Sequence, residues 1–322
     1  MLTSLPDSPI APLPAFAASD AALAISTQEL ASAFAPFVAQ YPSAEEEVWR
    51  TEIERRQKKI RKGYLKRQLL GWLPSRQRRE DTVVEEYDRA WSKIDVSTYE
   101  IGGELPRLAP WDWRGQPMFA SDLGATRVRQ VMLVRMLEQL RPRRVLEVGC
   151  GNGINLMLLS GRFPDVAFTG VELTRAGQAA AQDFQQQAEM PEALQSYAPL
   201  PLTDITAFRR VDFRQGNAAD LPFEAGAFDL VYSCLALEQM ERIRRQALAE
   251  VARVCSRHAF LIEPFRDMND SGWPRRNVIR RDYFRGRIDE LKDHGLTPVW
   301  ATNDFPQEAF LKVCAVLAEK RA

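Results

Sequence analysis

Three glycines spaced one apart, Gly149, Gly151 and Gly153, separate two apolar runs in RRVLEVGCGNGINLMLL, Arg143 to Leu159. The run Val145 to Val148 reads as a buried strand, and the run that follows the glycines has apolar residues at helical spacing. A strand, a glycine turn and a helix form a ligand cradle. Missing side chains let a ligand approach the backbone, and a helix N-terminus offers free N–H groups. The details narrow the ligand. A dinucleotide pattern needs its third glycine at 154, which is Ile154, and no Gly-Lys-Ser/Thr follows, which excludes a P-loop. Glu147 lies inside the strand, badly placed for a pyrophosphate and well placed for a ligand with a positive amino group.

Other reactive side chains are sparse. The two histidines, His258 and His294, fall at the amino ends of expected strands, the edge away from ligands in an open α/β sheet. The four cysteines, Cys150, Cys234, Cys255 and Cys314, form no Cys-x-x-Cys pair, and three lie in apolar runs. They read as reduced, mostly buried thiols, not as a disulfide framework or a zinc site. No metal cluster is expected.

The elements that position the cradle follow from periodicity. Residues 1–25, rich in Ala, Pro and Ser, read as a flexible or loosely docked arm. Helical patterning runs from about Thr27 to Asp95, where Trp49, Ile53, Ile60 and Tyr64 draw one stripe. Pro74 breaks it, and a second helical piece covers about 81–93. Residues 97–124 read as an irregular connection dense in aromatics. A helix at 126–140 precedes the cradle strand. Further strands are expected at 166–171, 211–214, 228–233, 259–263, 298–302 and 310–317, and helices at 242–254 and 283–294. The segment 187–210 shows no clear period. Alternating strands and helices predict an α/β fold with a mostly parallel sheet covered on both faces. The expected division is an arm, 1–25, an N-terminal helical and irregular extension, 26–119, and a ligand-binding domain, 120–322.

The chain has 322 residues, with 43 Lys or Arg against 43 Asp or Glu, so global charge names no partner. No apolar stretch reaches the roughly 18 residues of a bilayer span, and the N-terminus lacks a basic start, so a cytoplasmic protein is expected. Local charge is more telling. Arg55 to Arg79 holds eleven Lys or Arg and no acid, interleaved with Leu, Tyr and Trp. Three readings stand: packing on the core or on a second subunit, a peripheral membrane surface, or RNA phosphates.

Three motifs in order resemble the class I S-adenosylmethionine-dependent methyltransferases. They are VLEVGCGNG, then FTGVEL, then RQGNAADLPFEAGAFDLVYSCLALEQM. The resemblance covers about 120–320 and implies a Rossmann-like, doubly wound seven-stranded sheet, with S-adenosyl-L-methionine as cofactor. It implies that Glu147, Gly149, Cys150, Gly151 and Gly153 hold the methionine moiety, that Glu172 takes the ribose hydroxyls, and that Leu173, Asn217 and Ala218 face the adenine. Ser233 would sit beside the reacting end. Two departures stand out: Asn217 replaces an acid common in relatives, and Gln239 replaces a histidine common among small-molecule enzymes.

A general base is needed only for a poorly acidic acceptor. Glu263, at the carboxyl end of the strand at 259–263, and Glu238, after the strand at 228–233, are the catalytic candidates. Trp113, Phe119 and Arg266 are the candidates for contacting substrate. Arg266, Arg275, Arg276, Arg280 and Arg281 in one loop suggest an anionic acceptor, a sugar or a phosphorylated or lipid-linked small molecule; the alternative is a solvated surface helix with paired charges. The alternatives are an RNA methyltransferase using residues 55–79, and an inactive cofactor-binding interaction module. The stretch SCLALEQ after the strand at 228–233 lacks the Asn/Asp-Pro-Pro-Tyr signature of many base-methylating enzymes.

Overall fold

The computed structural model describes residues 2, 5–72, 79–91 and 93–321. Pro74, read as a helix break, lies outside them. The strands of the main sheet form because most are largely apolar and covered on both faces, whereas the edge strand at 212–215 buries Phe213 alone. These are β4 (Arg144–Val148), β5 (Ala167–Glu172), β6 (Asp212–Gln215), β7 (Phe228–Cys234) and β8 (Cys255–Glu263), followed by β9 (Leu296–Thr302) and β11 (Cys314–Lys320). Their order is β6-β5-β4-β7-β8-β11-β9. The first five are parallel, and β11 runs antiparallel to both β8 and β9. The strand order reverses at β4 and β7, so the loops leaving their carboxyl ends frame the ligand crevice. This is the expected doubly wound, mostly parallel seven-stranded sheet.

Helix α4 (Asp122–Leu140) starts at Ser121, whose side chain accepts from Leu123 N–H, and ends at Arg141 in the left-handed region. Helices α5 (Ile154–Arg162), α6 (Arg175–Phe184) and α8 (Arg244–Val254) follow β4, β5 and β7. The segment 187–210 contains one short helix, α7 (Glu192–Tyr197), whose buried Tyr197 donates to Leu123 C=O.

Two sequence expectations are corrected, and a third is decided between its two alternatives. The irregular connection at 97–124 contains a hairpin, β2 (Ala109–Trp113) and β3 (Gln116–Ala120), in a small sheet ordered β1-β3-β2-β10, with β1 (Val38–Gln40) and β10 (Gln307–Glu308). Its two-residue turn, Arg114-Gly115, has positive φ at both positions, the combination whose twist matches a hairpin. The loop after β8 contains helix α9 (Gly272–Arg281). The helix expected at 283–294 is only a 3₁₀ turn, Ile288–His294. Tertiary bonds claim the chain before it: Arg285 N–H donates to Glu241, and Gly286 C=O accepts from Arg266 N–H.

Residues 5–25 dock instead of hanging free. Leu13 N–H donates to Ala301 C=O of β9, and Ala11 N–H donates to Asp304. Leu2, Ile10, Leu23 and Ile25 are buried in a cluster that also holds Phe34 and Trp111 of the extension and Leu133 of α4. One apolar core thus runs through all three expected segments. In the extension, α1 (Thr27–Phe34) packs on α4, α2 (Glu47–Leu69) on α9 and α3 (Glu80–Trp91) on α6. Gly63 permits the α2–α9 approach, because a Cβ there would lie 2.3 Å from Arg280 Cδ.

Candidate functional site

The β4–α5 turn and the β7 exit loop meet at the strand-order reversal and wall a cavity of about 1000 Å³. The turn is built by its glycines. Gly149 has φ +76°, and a Cβ there would lie 2.4 Å from Ala236 Cβ. Gly149 and Cys150 N–H both donate to Val171 C=O, at 2.8 and 3.1 Å, which ties the turn to β5. At the end of β5, Glu172 is buried and accepts from Gly151 N–H at 2.9 Å and from the Thr174 N–H and hydroxyl at 2.9 and 2.8 Å. This carboxylate joins the glycine turn to the start of α6.

Glu147 is buried within β4, with one oxygen accepting from Asn155 at 3.2 Å. The buried Tyr232 hydroxyl also interacts with this carboxylate, and Glu147 lines the cavity. Burial pushes its pKa up to about 7. A buried carboxylate on the cavity wall with no cationic partner among the described residues fits a ligand ammonium group.

Eight expected cofactor residues share this wall: Glu147, Gly149, Cys150, Gly151, Glu172, Leu173, Asn217 and Ala218. Asn217 also shapes its own turn, its side-chain oxygen accepting from Ala219 N–H at 2.9 Å. Gly153 and Ser233 stand outside the wall. Gly153 caps α5 against the Phe213 ring, and Ser233 is fully buried with its hydroxyl donating to Glu263.

The two catalytic candidates separate. Glu263 does not line the cavity. It is fully buried and accepts from Ser233 and from the N–H groups of Ala236, Leu237 and Glu238, the backbone bonds measuring 3.0, 3.0 and 3.1 Å. It therefore holds the β7 exit loop, in which Leu235 adopts φ +54°, an unusual conformation for a branched residue. Glu238 does line the cavity, and accepts from the Tyr283 hydroxyl and from Gln239 at 2.7 Å.

Two consequences follow for stability. Glu263→Ala strips the acceptor from four buried donors at roughly 1–3 kcal/mol each, less than additively, so a loss of about 3–5 kcal/mol in urea unfolding is expected. Burial and the Glu238 charge push the Glu263 pKa up to about 8, and Glu147 stands near 7. Both lie above the ordinary value of 4.5. The folded state then keeps protons that the unfolded chain has released. Stability is highest below about pH 4.5 for these two groups and falls as pH rises to about 8. Urea midpoints measured in Glu147→Gln/Glu263→Gln should lose that downward slope.

The three substrate candidates are elsewhere. Trp113 is buried and donates to Asp304 at 2.9 Å, Phe119 packs on Trp49, and Arg266 pairs with Asp270 at 3.0 Å. None lines the cavity. Nor do the other arginines of that region. Arg276 lies over Trp273, Arg280 donates to Asn277, and Arg281 lies over Tyr283.

A further part of the cavity wall, packed against the glycine turn, comes from residues that sequence reasoning missed. Trp91, at the end of α3, lies 3.0 Å from where a Gly151 Cβ would stand, with Tyr87 stacked on it. Asp88 accepts from Ala176 N–H at 3.3 Å, which anchors this roof to α6. Tyr99, Arg107 and Arg129 complete that side. Arg129 Nε is buried without a hydrogen-bond partner, and its guanidinium donates to Thr126 at 2.8 Å. No ion pair to a carboxylate is formed by Arg129 among the described residues. Its helical face gave no sequence signal that it turned inward. All four thiols are free, and no group of metal-ligating side chains occurs among the described residues.

Comparison with known proteins agrees with this geometry. Residues 146–262 match the family model of a methyltransferase domain. The chain is 31% identical over 124 residues to phthiotriol/phenolphthiotriol dimycocerosates methyltransferase 1 of Mycobacterium ulcerans, covering 38% of each chain. It is 33% identical over 122 residues to a probable chloroplastic tocopherol O-methyltransferase of Oryza sativa subsp. japonica, covering 38% of this chain and 28% of that one. The match therefore spans well under half the length of either relative. Among solved structures, the cyclase SpnF superposes with a TM-score of 0.49 at 18% identity, covering 74% of this chain and 95% of that chain. The family match falls on the glycine turn, on Glu172 and on the β7 exit loop, so residues 146–262 match a methyltransferase domain.

Proposed function

We propose that the protein transfers a methyl group from S-adenosylmethionine to a small or lipid-linked acceptor held under α3. The observation that carries this reading is one cavity lined by the glycine turn, the buried Glu147 carboxylate, and Trp91 and Tyr87 of α3. Glu147 would receive the cofactor's ammonium group, Glu172 its ribose, and Leu173 and Ala218 the base. When bound, the cofactor supplies a sulfonium-activated methyl group. The chain's own task is to hold the acceptor in line and exclude water, a positioning effect worth on the order of 7–11 kcal/mol.

The acceptor side is mixed. Trp91, Tyr87, Leu123, Met240 and Ile243 offer an apolar, aromatic bed, and Arg129 offers a cation. An acceptor with an apolar body and one anionic group fits both. Support for an anion thus rests on Arg129, not on the arginines of α9. Glu238, buttressed by Tyr283 and Gln239, is positioned to take the proton that a hydroxyl or amine acceptor releases. Both curated relatives named above are methyltransferases, of a dimycocerosate and a tocopherol respectively, and that is consistent with an apolar acceptor.

The test is transfer of labelled methyl from S-adenosylmethionine into fractionated lipid and metabolite extracts. Label appearing in one anionic, apolar fraction, together with S-adenosylhomocysteine, is expected. Cofactor binding with no label in any lipid, metabolite or RNA fraction would contradict transfer and favour the inactive module. Label in RNA alone would favour the nucleic-acid alternative.

A further inference from the structure

We propose that the C-terminal end of α2 is a docking surface for an anionic lipid bilayer. Four of the seven exposed large apolar side chains among the described residues cluster there: Leu65 (53% exposed), Leu69 (76%), Leu70 (40%) and Trp72 (78%). Lys58, Lys59, Arg61, Lys62 and Lys66 are exposed on the same stretch. None of these five cations forms an ion pair among the described residues, whereas the inward-facing Arg56 and Arg67 are tied to Glu308 and Asp282. No Asp or Glu occurs between Arg55 and Arg79 to neutralise the patch, although the whole chain is balanced.

Helix α2 is thus divided. Ile60 is buried and Gly63 meets Arg280 on the side facing α9. The outward side alternates lysine with leucine. Packing on the core, one of the readings open from the sequence, accounts for the first side and leaves the second uncovered. A clustered apolar patch in water is unfavourable and marks a contact. A bilayer with anionic headgroups answers both halves of it. Cations meet the phosphates, lysine stems lie along apolar surface, and Leu and Trp enter the headgroup–acyl boundary. RNA would answer the charge but would leave Leu65, Leu69 and Leu70 in water. A second copy would set five more cations against these five. No helix among the described residues can cross a membrane, so contact would be peripheral. The chain leads from this surface through residues 73–79 into α3, the roof of the cavity.

The experiment is sedimentation of the full chain with phosphatidylcholine vesicles and with vesicles of phosphatidylcholine and phosphatidylglycerol at about 3:1. Binding to the anionic vesicles alone is expected, with release as salt rises from about 0.1 to 0.5 M. Leu69→Asp/Trp72→Ser should weaken binding by roughly tenfold or more, with an unchanged thermal midpoint and unchanged S-adenosylmethionine affinity. Lys58→Glu/Lys62→Glu/Lys66→Glu, which keeps the apolar residues, should weaken it similarly. Four results would overturn the proposal: no binding to anionic vesicles, equal binding to phosphatidylcholine alone, folded variants that bind as tightly as the parent chain, or a dimer in solution that Leu69→Asp/Trp72→Ser dissolves.

Discussion

Glu238→Gln is expected to lower methyl transfer by about 10²–10⁴-fold, the usual contribution of a positioned general base, while leaving S-adenosylmethionine affinity unchanged. The substitution keeps the shape of the side chain and its capacity to accept from Tyr283. What it removes is the carboxylate that can receive the acceptor's proton. Because Glu263 grips the backbone of the same loop, the position of residue 238 does not depend on its own side chain. The rate is read with the acceptor fraction that takes up label, and affinity by calorimetry. A rate within about tenfold of the parent would assign Glu238 to shaping the cavity and remove it from proton transfer.

Gly149→Val should reduce S-adenosylmethionine affinity by about 100-fold or more. A β-branched side chain at φ +76° costs roughly 1–2 kcal/mol. Its Cβ would also fall 2.4 Å from Ala236 Cβ, forcing the glycine turn and the β7 exit loop apart, an overpacking cost of about 1–3 kcal/mol. Both walls of the cofactor side move, and each 1.4 kcal/mol is tenfold in affinity. Gly226→Val is the control. It has φ +67°, but its Cβ would meet nothing closer than Ser256 Cβ at 3.7 Å, and it lies away from the cavity. It carries the backbone strain without the collision, so it should lose stability yet keep affinity. Equal affinity losses in the two variants would show that strain, not displacement of the cavity walls, is responsible.

The legible part of this chain was its central sheet and the glycine-turn side of the cavity. Parallel strands buried on both faces read as continuous apolar runs, so β4, β5 and β7 stand out, and the glycines mark the turn between β4 and α5. Elements outside that sheet were hidden for identifiable reasons. Trp111 and Trp113 alternate with Pro110 and Asp112 at strand period, but the prolines masked the hairpin. Pro274 suggested a loop, yet it sits in the first turn of α9, where its missing N–H costs nothing. Phe284, Ile288 and Leu291 mimic helical spacing, while tertiary bonds at Arg285 and Gly286 hold that chain extended.

Residue type also misled at single positions. Trp113, Phe119 and Arg266 looked available for substrate, and each is satisfied locally by Asp304, Trp49 or Asp270. Glu263 sits at the carboxyl end of β8 as expected, but four donors make it a clamp on the neighbouring loop. Conversely, nothing in the pattern of residues 80–91 shows that Tyr87 and Trp91 face the glycine turn, because that placement comes from α3 packing on α6. The basic stretch read as three alternatives, and the exposure of Leu65, Leu69 and Trp72 is what supports the bilayer proposal.

The most direct measurement is calorimetric binding of S-adenosylmethionine and S-adenosylhomocysteine to the purified chain, with Glu172→Ala alongside. Both ligands should bind at one site, and the variant, folded by circular dichroism, should lose most of that affinity, because Glu172 is the carboxylate proposed to meet the ribose and it also tethers Gly151. A folded parent chain that binds neither ligand, or a folded variant that binds both as tightly as the parent, would contradict the assignment of this cavity to the cofactor.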